Sequence, residues 1–566
     1  MKRIIAVMMV LVMLFTAVGC KKSEDSSKNV NSTTGTPAAT GEAATDGAGD
    51  REKIGASMKD VTLNIRVMNE YTNLDKVIAK YDELTKDDPI MSKIHLNFSY
   101  VTGADYVDKL QMAMTAQEDY DLLFCGSWQG LDGYISQGLF ADITKYFNND
   151  AFPGLKAAFS EDYIDAAKTT VKNDDGEYQQ VLYQVPLATS FEEIRGLAYR
   201  EDLRKKYNCP EITDDASLKT YIQTVLANEP DMIGWSMWGG FFYNDSARYS
   251  GALNNVYWVD ATQPFGEETP FYVGISEDGT KVLNAVVMGD SAEEFAKMPQ
   301  GYNTDFIKAY ELDRVSKWSD VLDPNRGVDS GSTVTKDAAV QYCGLSEFPS
   351  QLKTLQDKYP DASLGFYVTE ADQRNLKPGA IVSSMKTNNE LVIPEWSDKV
   401  DATMYFLDWM FGTREHNELF AYGIEGDDWK AVGDDGMEFI NEDSSTHYTM
   451  PVYSLTLNPS YVRANKIYRE DEQLSKYYNY SMDPTTYKKS LLSGFTFNTS
   501  NVETEVAGIT ALSSELMTRY ALYGDKTAAK IDEWHAAAED AGLENVRKEL
   551  ITQVQAFLDL QQTLKK

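Results

Sequence analysis

Apolar residues fall at every second position through Leu63, Ile65 and Val67. They then fall at helical spacing through Leu74, Val77, Ile78, Tyr81 and Leu84. The first pattern predicts a half-buried strand starting near Val61, and the second predicts an amphipathic helix over Leu74–Leu84. Alternation returns in Ile94–Val101, and helical spacing returns in Tyr106–Ala116. Asp121–Cys125 is almost wholly apolar, as a strand covered on both faces requires. Strand, helix, strand, helix, strand predicts a doubly wound α/β lobe. In such a lobe ligands meet the loops at the carboxyl ends of the strands. Here those loops are Asn69–Thr72, with Tyr71, and Gly126–Gly130, with Trp128; Tyr134 follows in Leu131–Gln137.

A β-rich run, Gln180–Val185, then meets Pro186. Proline fixes φ and donates no N–H, so a regular strand is expected to stop there. The polar loop Thr189–Glu193 follows, then a strand over Ile194–Tyr199 and a helix over Arg200–Tyr207. A strand, an acidic loop and a new strand predict a hinge between two lobes. Beyond it, Ser217–Asn228 and Phe306–Trp318 read as helices, and Val282–Val287, Ala338–Cys343 and Ser363–Val368 as strands. Ala380–Met385 is expected to return the chain to the first lobe. Ser397 is expected to cap a helix reaching Phe411, with Ala402, Tyr405, Phe406 and Trp409 inward. Two helices broken at Gly542 close the chain, the last striped by Leu543, Val546, Leu550, Val554 and Phe557. The expected first lobe is 58–186 with 380–430, and the second is 187–379 with 431–566.

The amino end changes this picture. Lys2 and Arg3 precede the apolar run Ile4–Ala17, which ends in Ala17-Val18-Gly19-Cys20. That is the layout of a secretory signal, too short for a permanent membrane span. Its ending resembles the bacterial lipobox, in which the cysteine becomes the lipidated amino terminus. Residues 1–20 are therefore read as signal and lipobox, with Cys20 as the lipidation site. Lys21–Ser57 has almost no large apolar residue and is expected to be a disordered tether. The body would then sit on the extracellular face of a membrane, held by its lipid.

The formal net charge of −34 argues against nucleic acid as a partner, because like charge repels. Cys125, Cys209 and Cys343 form no CxxC pair and read as buried free thiols. Four histidines with no HExxH spacing argue against a metal site or a histidine triad, and no P-loop, GxGxxG or GxSxG occurs. No cofactor is expected. Glu192-Glu193 offers a carboxylate to accept sugar hydroxyls, whereas catalysis by both is disfavoured because adjacent side chains diverge. Aromatic loops are the stronger signal, since indole and phenol rings stack on the apolar faces of sugars. The candidates are Tyr71, Trp128, Tyr134, Trp238, Tyr243, Phe348 and Trp429; core packing is the competing role for each.

The run Glu118–Thr144 joins an Asp121-Leu122-Leu123-Phe124 strand, an aromatic loop and a Gln137-Gly138-Leu139-Phe140-Ala141-Asp142-Ile143-Thr144 close. It resembles the matching segment of family 1 extracellular solute-binding proteins of ABC importers. Val185–Tyr207 is similar to their hinge segment. Tyr422-Gly423-Ile424-Glu425-Gly426-Asp427-Asp428-Trp429 resembles a motif of a Gram-positive, LipO-like lipoprotein branch. The tail from Gly494 through Glu505 resembles that branch's carboxyl-terminal domain of unknown function. Asp245–Val287 reads as an individual insertion. The resemblance implies a two-lobed α/β fold of the type II periplasmic-binding kind with a helical extension. It also implies a monomer that captures a solute, with carbohydrate favoured, for ABC permease subunits, and no catalysis. A peptide- or other-solute receptor, a surface glycan-degrading enzyme and an adhesive lipoprotein remain alternatives.

Overall fold

The computed structural model describes residues 47–564 except 127–128, 148, 173–177, 188–189, 191, 237–257, 263, 266–268, 322–332, 384, 441–447, 449–454, 459 and 518–523. Cys20 and the first part of the expected tether lie outside the described residues, as do Trp128, Trp238 and Tyr243. The end of that tether is a helix, Gly47–Ser57. Its Arg51 pairs with Asp88 at 3.1 Å, and Ile54 packs on the first core. Gly55 lies so close to Pro89 that a Cβ would stand 2.2 Å from its carbonyl oxygen. One apolar side chain and one ion pair thus order a stretch whose composition reads as solvated.

The strands of the two main sheets are β1 Val61–Met68, β2 Ile94–Val101, β3 Leu122–Phe124, β4 Gln184–Leu187, β5 Arg195–Arg200, β6 Ile233–Ser236, β7 Ala338–Gly344, β8 Leu364–Tyr367 and β9 Asn389–Val392. The first sheet has the order β2-β1-β3-β9-β4. β1 is parallel to β2 and β3, while β9 runs antiparallel to β3 and to β4. Helices Leu74–Thr85, Gly103–Ala116 and Val400–Gly412 join it in one hydrophobic core, as the apolar spacing predicts. Pro186 does not end its strand. β4 is an edge strand, where an absent N–H strands no partner, and Pro186 sits opposite Glu390.

The chain returns to this sheet through β9. Ile381–Ser383, expected to make that return, instead pairs with Tyr487–Lys489 in a separate two-stranded sheet. Ser397 does not cap the next helix either: its hydroxyl donates to Asp121 at 2.7 Å, and the cap position is Lys399. The buried Asp121 also accepts from Lys399 Nζ and the Asn64 amide, each at 2.8 Å. Tyr448 and Leu455 belong to the first core as well, beyond the expected boundary at 430.

The second sheet runs β8-β5-β7-β6, with β5 antiparallel to β7 and β8, and β6 parallel to β7. Helix Asp215–Asn228 lies on it, opened by a capping box between Asp214 and Ser217. Trp258–Thr262, Phe271–Ile275 and Val282–Val286 form a third, antiparallel sheet. These strands fall within the expected insertion, and they are no ornament. Three tail helices, Glu503–Leu516, Thr527–Asp540 and Leu543–Leu564, share one core with them. Gly542, at φ 101°, turns the chain between the last two. Leu543, Val546, Leu550, Val554 and Phe557 are all buried, as their spacing predicts. Cys125, Cys209 and Cys343 are buried free thiols.

A buried ion pair locks the tail to this third sheet. Arg547 Nη1 and Nη2 each donate to Asp290 at 2.8 Å, and His535 Nε2 lies 2.8 Å from the same carboxylate. Burial alone would push the Asp290 carboxyl up, but the His535 and Arg547 hydrogen bonds outweigh it and hold it below the ordinary range. Asp290, His535 and Glu539 are near enough to hold a cation, yet Arg547 already neutralises Asp290. Arg547→Ala should therefore cost about 3–5 kcal/mol in urea unfolding at neutral pH, by leaving a buried carboxylate uncompensated. Because the Asp290 carboxyl is held low, the pair's contribution is full above the ordinary carboxylate range. It is lost as pH falls through the native value, so the gap between wild type and variant should close in acid.

Candidate functional site

Parallel strands end together. β1, β2, β3 and β4 all finish at one edge of the first sheet, where the antiparallel β9 begins. β6, β7 and β8 finish at one edge of the second sheet, where β5 begins. The chain crosses from the end of β4 at Leu187 to the start of β5 at Arg195. That crossing therefore joins the two carboxyl edges, and loops from both lobes gather around it. Crevices at such edges are where open α/β sheets take ligands.

The crossing is fastened to both sides. Ser190 Oγ and Tyr487 Oη donate to the Glu192 carbonyl at 2.8 and 2.9 Å. The Glu193 carboxylate accepts from the Ser346 amide at 3.0 Å and from the Ser346 hydroxyl. Gly344 leaves it room, since a Cβ there would stand 2.4 Å from a Glu193 oxygen. Leu345 N donates to Ile194 O at 2.9 Å, and Arg195 Nη1 to Tyr342 Oη at 2.9 Å. Glu193 is thus a tie to the second lobe, and the Glu192 and Glu193 side chains have separate roles.

Glu192 as a whole residue is half-buried. Burial pushes its carboxyl above the ordinary range, with Arg195 opposing the rise and Glu193 adding to it. Such a carboxyl can accept or donate a hydrogen bond to a hydroxyl-bearing ligand.

Across β9 lies the turn after β3. Gly126 N donates to Gln129 Oε1 at 2.7 Å, and Gln129 N donates back to Gly126 O at 2.9 Å. Gly130, at φ 90°, then starts the helix Leu131–Ser136. Gln129 is buried, and its Nε2 has no hydrogen-bond partner among the described residues. Trp128, between Gly126 and Gln129 in the sequence, lies outside the described residues, as do Trp238 and Tyr243. Tyr134 is half-buried, its ring 6.1 Å from Phe140 and edge-on to it.

The other aromatic candidates are packed. Tyr71 follows β1 at the same edge, but it is buried and tilted against Tyr448 at 6.2 Å. Phe348 follows β7 at the second sheet's edge and is buried edge-on to Phe366 at 5.7 Å. Trp429 opens the strand Trp429–Val432 of a separate small sheet and is 1% exposed. Its Nε1 donates to Gly423 O at 3.2 Å, and the Arg463 guanidinium lies 5.0 Å over its ring. In the same motif Asp428 accepts from Ile424 N at 2.8 Å and Tyr448 N at 3.1 Å. Gly423, at φ 84°, leaves space for that carboxylate. The motif is a structural knot. Ser346, Tyr342 and Gln129 carry the local geometry but are too ordinary in type to stand out in the sequence.

Glu192→Gln removes the desolvation cost of the charged form. A carboxyl held high loses stability as pH rises from its unfolded to its native value. The variant should therefore gain on the wild type as pH rises above the ordinary carboxylate range in paired urea unfolding curves. An unchanged difference would mean that Glu192 is solvated like a surface acid.

Comparison with known proteins places this architecture. The model of the bacterial extracellular solute-binding proteins matches residues 68–416, and a domain of unknown function (DUF3502) matches residues 491–559. A protein of Streptococcus pneumoniae serotype 4 described as a carbohydrate ABC transporter substrate-binding protein is 21% identical over 469 residues, spanning 80% of this chain and 81% of that one. The crystal structure of the N-glycan transport solute binding protein NgtS of Streptococcus pneumoniae is similar at a TM-score of 0.63 and 17% identity, over 88% of this chain and 99% of NgtS. NgtS in complex with Man1GlcNAc gives a TM-score of 0.56 at 18% identity, over the same shares. The folds are shared: two α/β lobes of the type II binding-protein kind. Among the described residues no helix is long and apolar enough to cross a membrane. With more than half of its length matched, the chain belongs to the bacterial extracellular solute-binding protein family.

Proposed function

We propose that this protein is a lipid-anchored receptor that captures a carbohydrate, an oligosaccharide in particular, and delivers it to the transmembrane subunits of an ABC importer. The observation that carries the reading is the crossing from Leu187 to Arg195, which joins the two carboxyl edges and carries Glu192, a carboxyl that burial holds above its ordinary range. The similarity to a carbohydrate substrate-binding protein of Streptococcus pneumoniae supports the solute class. Trp128, between Gly126 and Gln129 in the sequence, is the stacking platform, and Tyr134, Trp238 and Tyr243 extend it. Tyr71, Phe348 and Trp429 shape the lobes behind it. The receptor works as a monomer, closes by hinge motion about the crossing and catalyses nothing: Glu193, the second carboxylate of the pair, is already tied to Ser346.

Binding to the native state alone raises apparent stability in proportion to ln(1 + [L]/Kd). A melting screen against malto- and chito-oligosaccharides, Man1GlcNAc, Man5GlcNAc, amino acids and peptides should therefore single out saccharides. A rise with peptides alone would refute the carbohydrate reading. Calorimetry on Trp128→Ala should then lose about 2–4 kcal/mol of binding with little change in stability, as for an aromatic hot spot. Lost stability with intact affinity would make Trp128 a packing residue.

Anchoring rests on the signal and lipobox pattern ending at Cys20. Cys20→Ala should move the folded protein from the membrane fraction to the medium or leave it unprocessed. Fully processed protein retained on the membrane would show that another element holds it.

A further inference from the structure

Among the described residues two aromatic side chains are left largely exposed, Tyr359 and Tyr100. Tyr359 lies beneath the Arg200 guanidinium, at 5.7 Å. Tyr100, at 51%, is the more exposed. It continues the face of β2 that sends Ile94 and Leu96 into the core and Phe98 onto Phe420. The core ends before it does, so its ring stands at the carboxyl edge of the sheet.

The ring is nevertheless held. Its hydroxyl bonds the carboxylate of Glu70, an exposed residue on the segment leaving β1. That segment is tied to β2: Asn69 N donates to Val101 O at 2.8 Å, and Asn69 Oδ1 accepts from Gly103 N at 2.9 Å. Asn69 makes both contacts by adopting φ 67°, in the left-handed region that asparagine tolerates. A preorganised aromatic ring with a carboxylate beside it is the pairing that sugars favour: an apolar face for the ring and an acceptor for hydroxyls. Glu70 keeps acceptor sites beyond the one Tyr100 uses.

Its place in the sheet gives it a role that Glu192 and the turn after β3 cannot fill. β4, which carries the crossing, is one edge of the sheet, and β2 is the other. Four strand spacings of about 4.8 Å separate them, roughly 19 Å in all. The turn after β3 lies midway. A monosaccharide held there and at Glu192 stops short of β2; a longer glycan does not.

We propose that Tyr100 and Glu70 form an outer sugar subsite at the far end of the first sheet's carboxyl edge, filled only by ligands long enough to span that edge. This rests on the carbohydrate reading above. It makes the receptor selective for glycan length through a ring distant from the hinge.

Calorimetry on wild type, Tyr100→Ala, Tyr100→Phe and Glu70→Gln tests it, using the shortest and longest members of the malto-, chito- and Man1GlcNAc/Man5GlcNAc sets that the wild type binds. Tyr100→Ala should weaken the longest member about tenfold or more and leave the shortest unchanged, with its melting temperature unaltered. Tyr100→Phe should keep most of the long-ligand affinity, and Glu70→Gln should lose part of it. Equal affinity of wild type and Tyr100→Ala for both members would overturn the subsite. So would an equal loss on both, which would place Tyr100 at the inner site. A wild type that binds no saccharide would instead fail at the carbohydrate reading, and the subsite with it.

Discussion

The first lobe is held shut by a strand that comes from the far side of the second. β9 lies between β3 and β4, pairing Leu391 with Phe124 on one side and with Val185 on the other. β3 and β4 do not pair with each other. The Cys125 amide finds its partner in Glu390 O at 2.9 Å, and Glu390 itself is wholly buried. Backbone groups in a covered sheet must be paired, so without β9 neither neighbour could stay in the core. The two-lobed shape, the crossing after β4 and the meeting of the carboxyl edges all depend on that insertion. A contact between such distant parts of the chain costs loop-closure entropy, which the hydrophobic burial around Leu391 and Val392 offsets.

Where the apolar period is long, the sequence is easy to read. β1, β2 and the helices Leu74–Thr85, Phe306–Trp318 and Leu543–Leu564 stand where alternation or helical spacing puts them. β9 is hard to read for the opposite reason. Asn389-Glu390-Leu391-Val392 has two polar residues in four, and only its neighbours make it a core strand. Pro186 misleads because its effect depends on being at an edge, which is a property of the sheet and not of the residue. Lys21–Ser57 reads as uniformly solvated, yet Ile54 and Arg51 suffice to dock its last turns.

The site divides along the same line. That a crossing joins the carboxyl ends of two sheets follows from chain order alone. Which aromatic rings face solvent does not, because ring type is the same in a core and on a platform. Trp429 and Phe348 show this: their neighbours Arg463 and Phe366 arrive from elsewhere in the chain. Tyr100 shows the converse, a ring inside an alternating strand whose pattern predicts burial and whose position beyond the core prevents it.

The interleaving of β9 also sets an order of events during biosynthesis. A polypeptide leaves the ribosome, or threads a translocation channel, amino end first. When β4 emerges, the first sheet can form only β2-β1-β3, with a bare edge at β3. It stays incomplete until Val392 is out. The amino-terminal half therefore cannot lock into a stable body ahead of the rest, which keeps it pliable for passage through a narrow pore. The same delay leaves an unpaired strand edge waiting for its partner, so the nascent chain depends on being shielded from its own copies until the second lobe has passed.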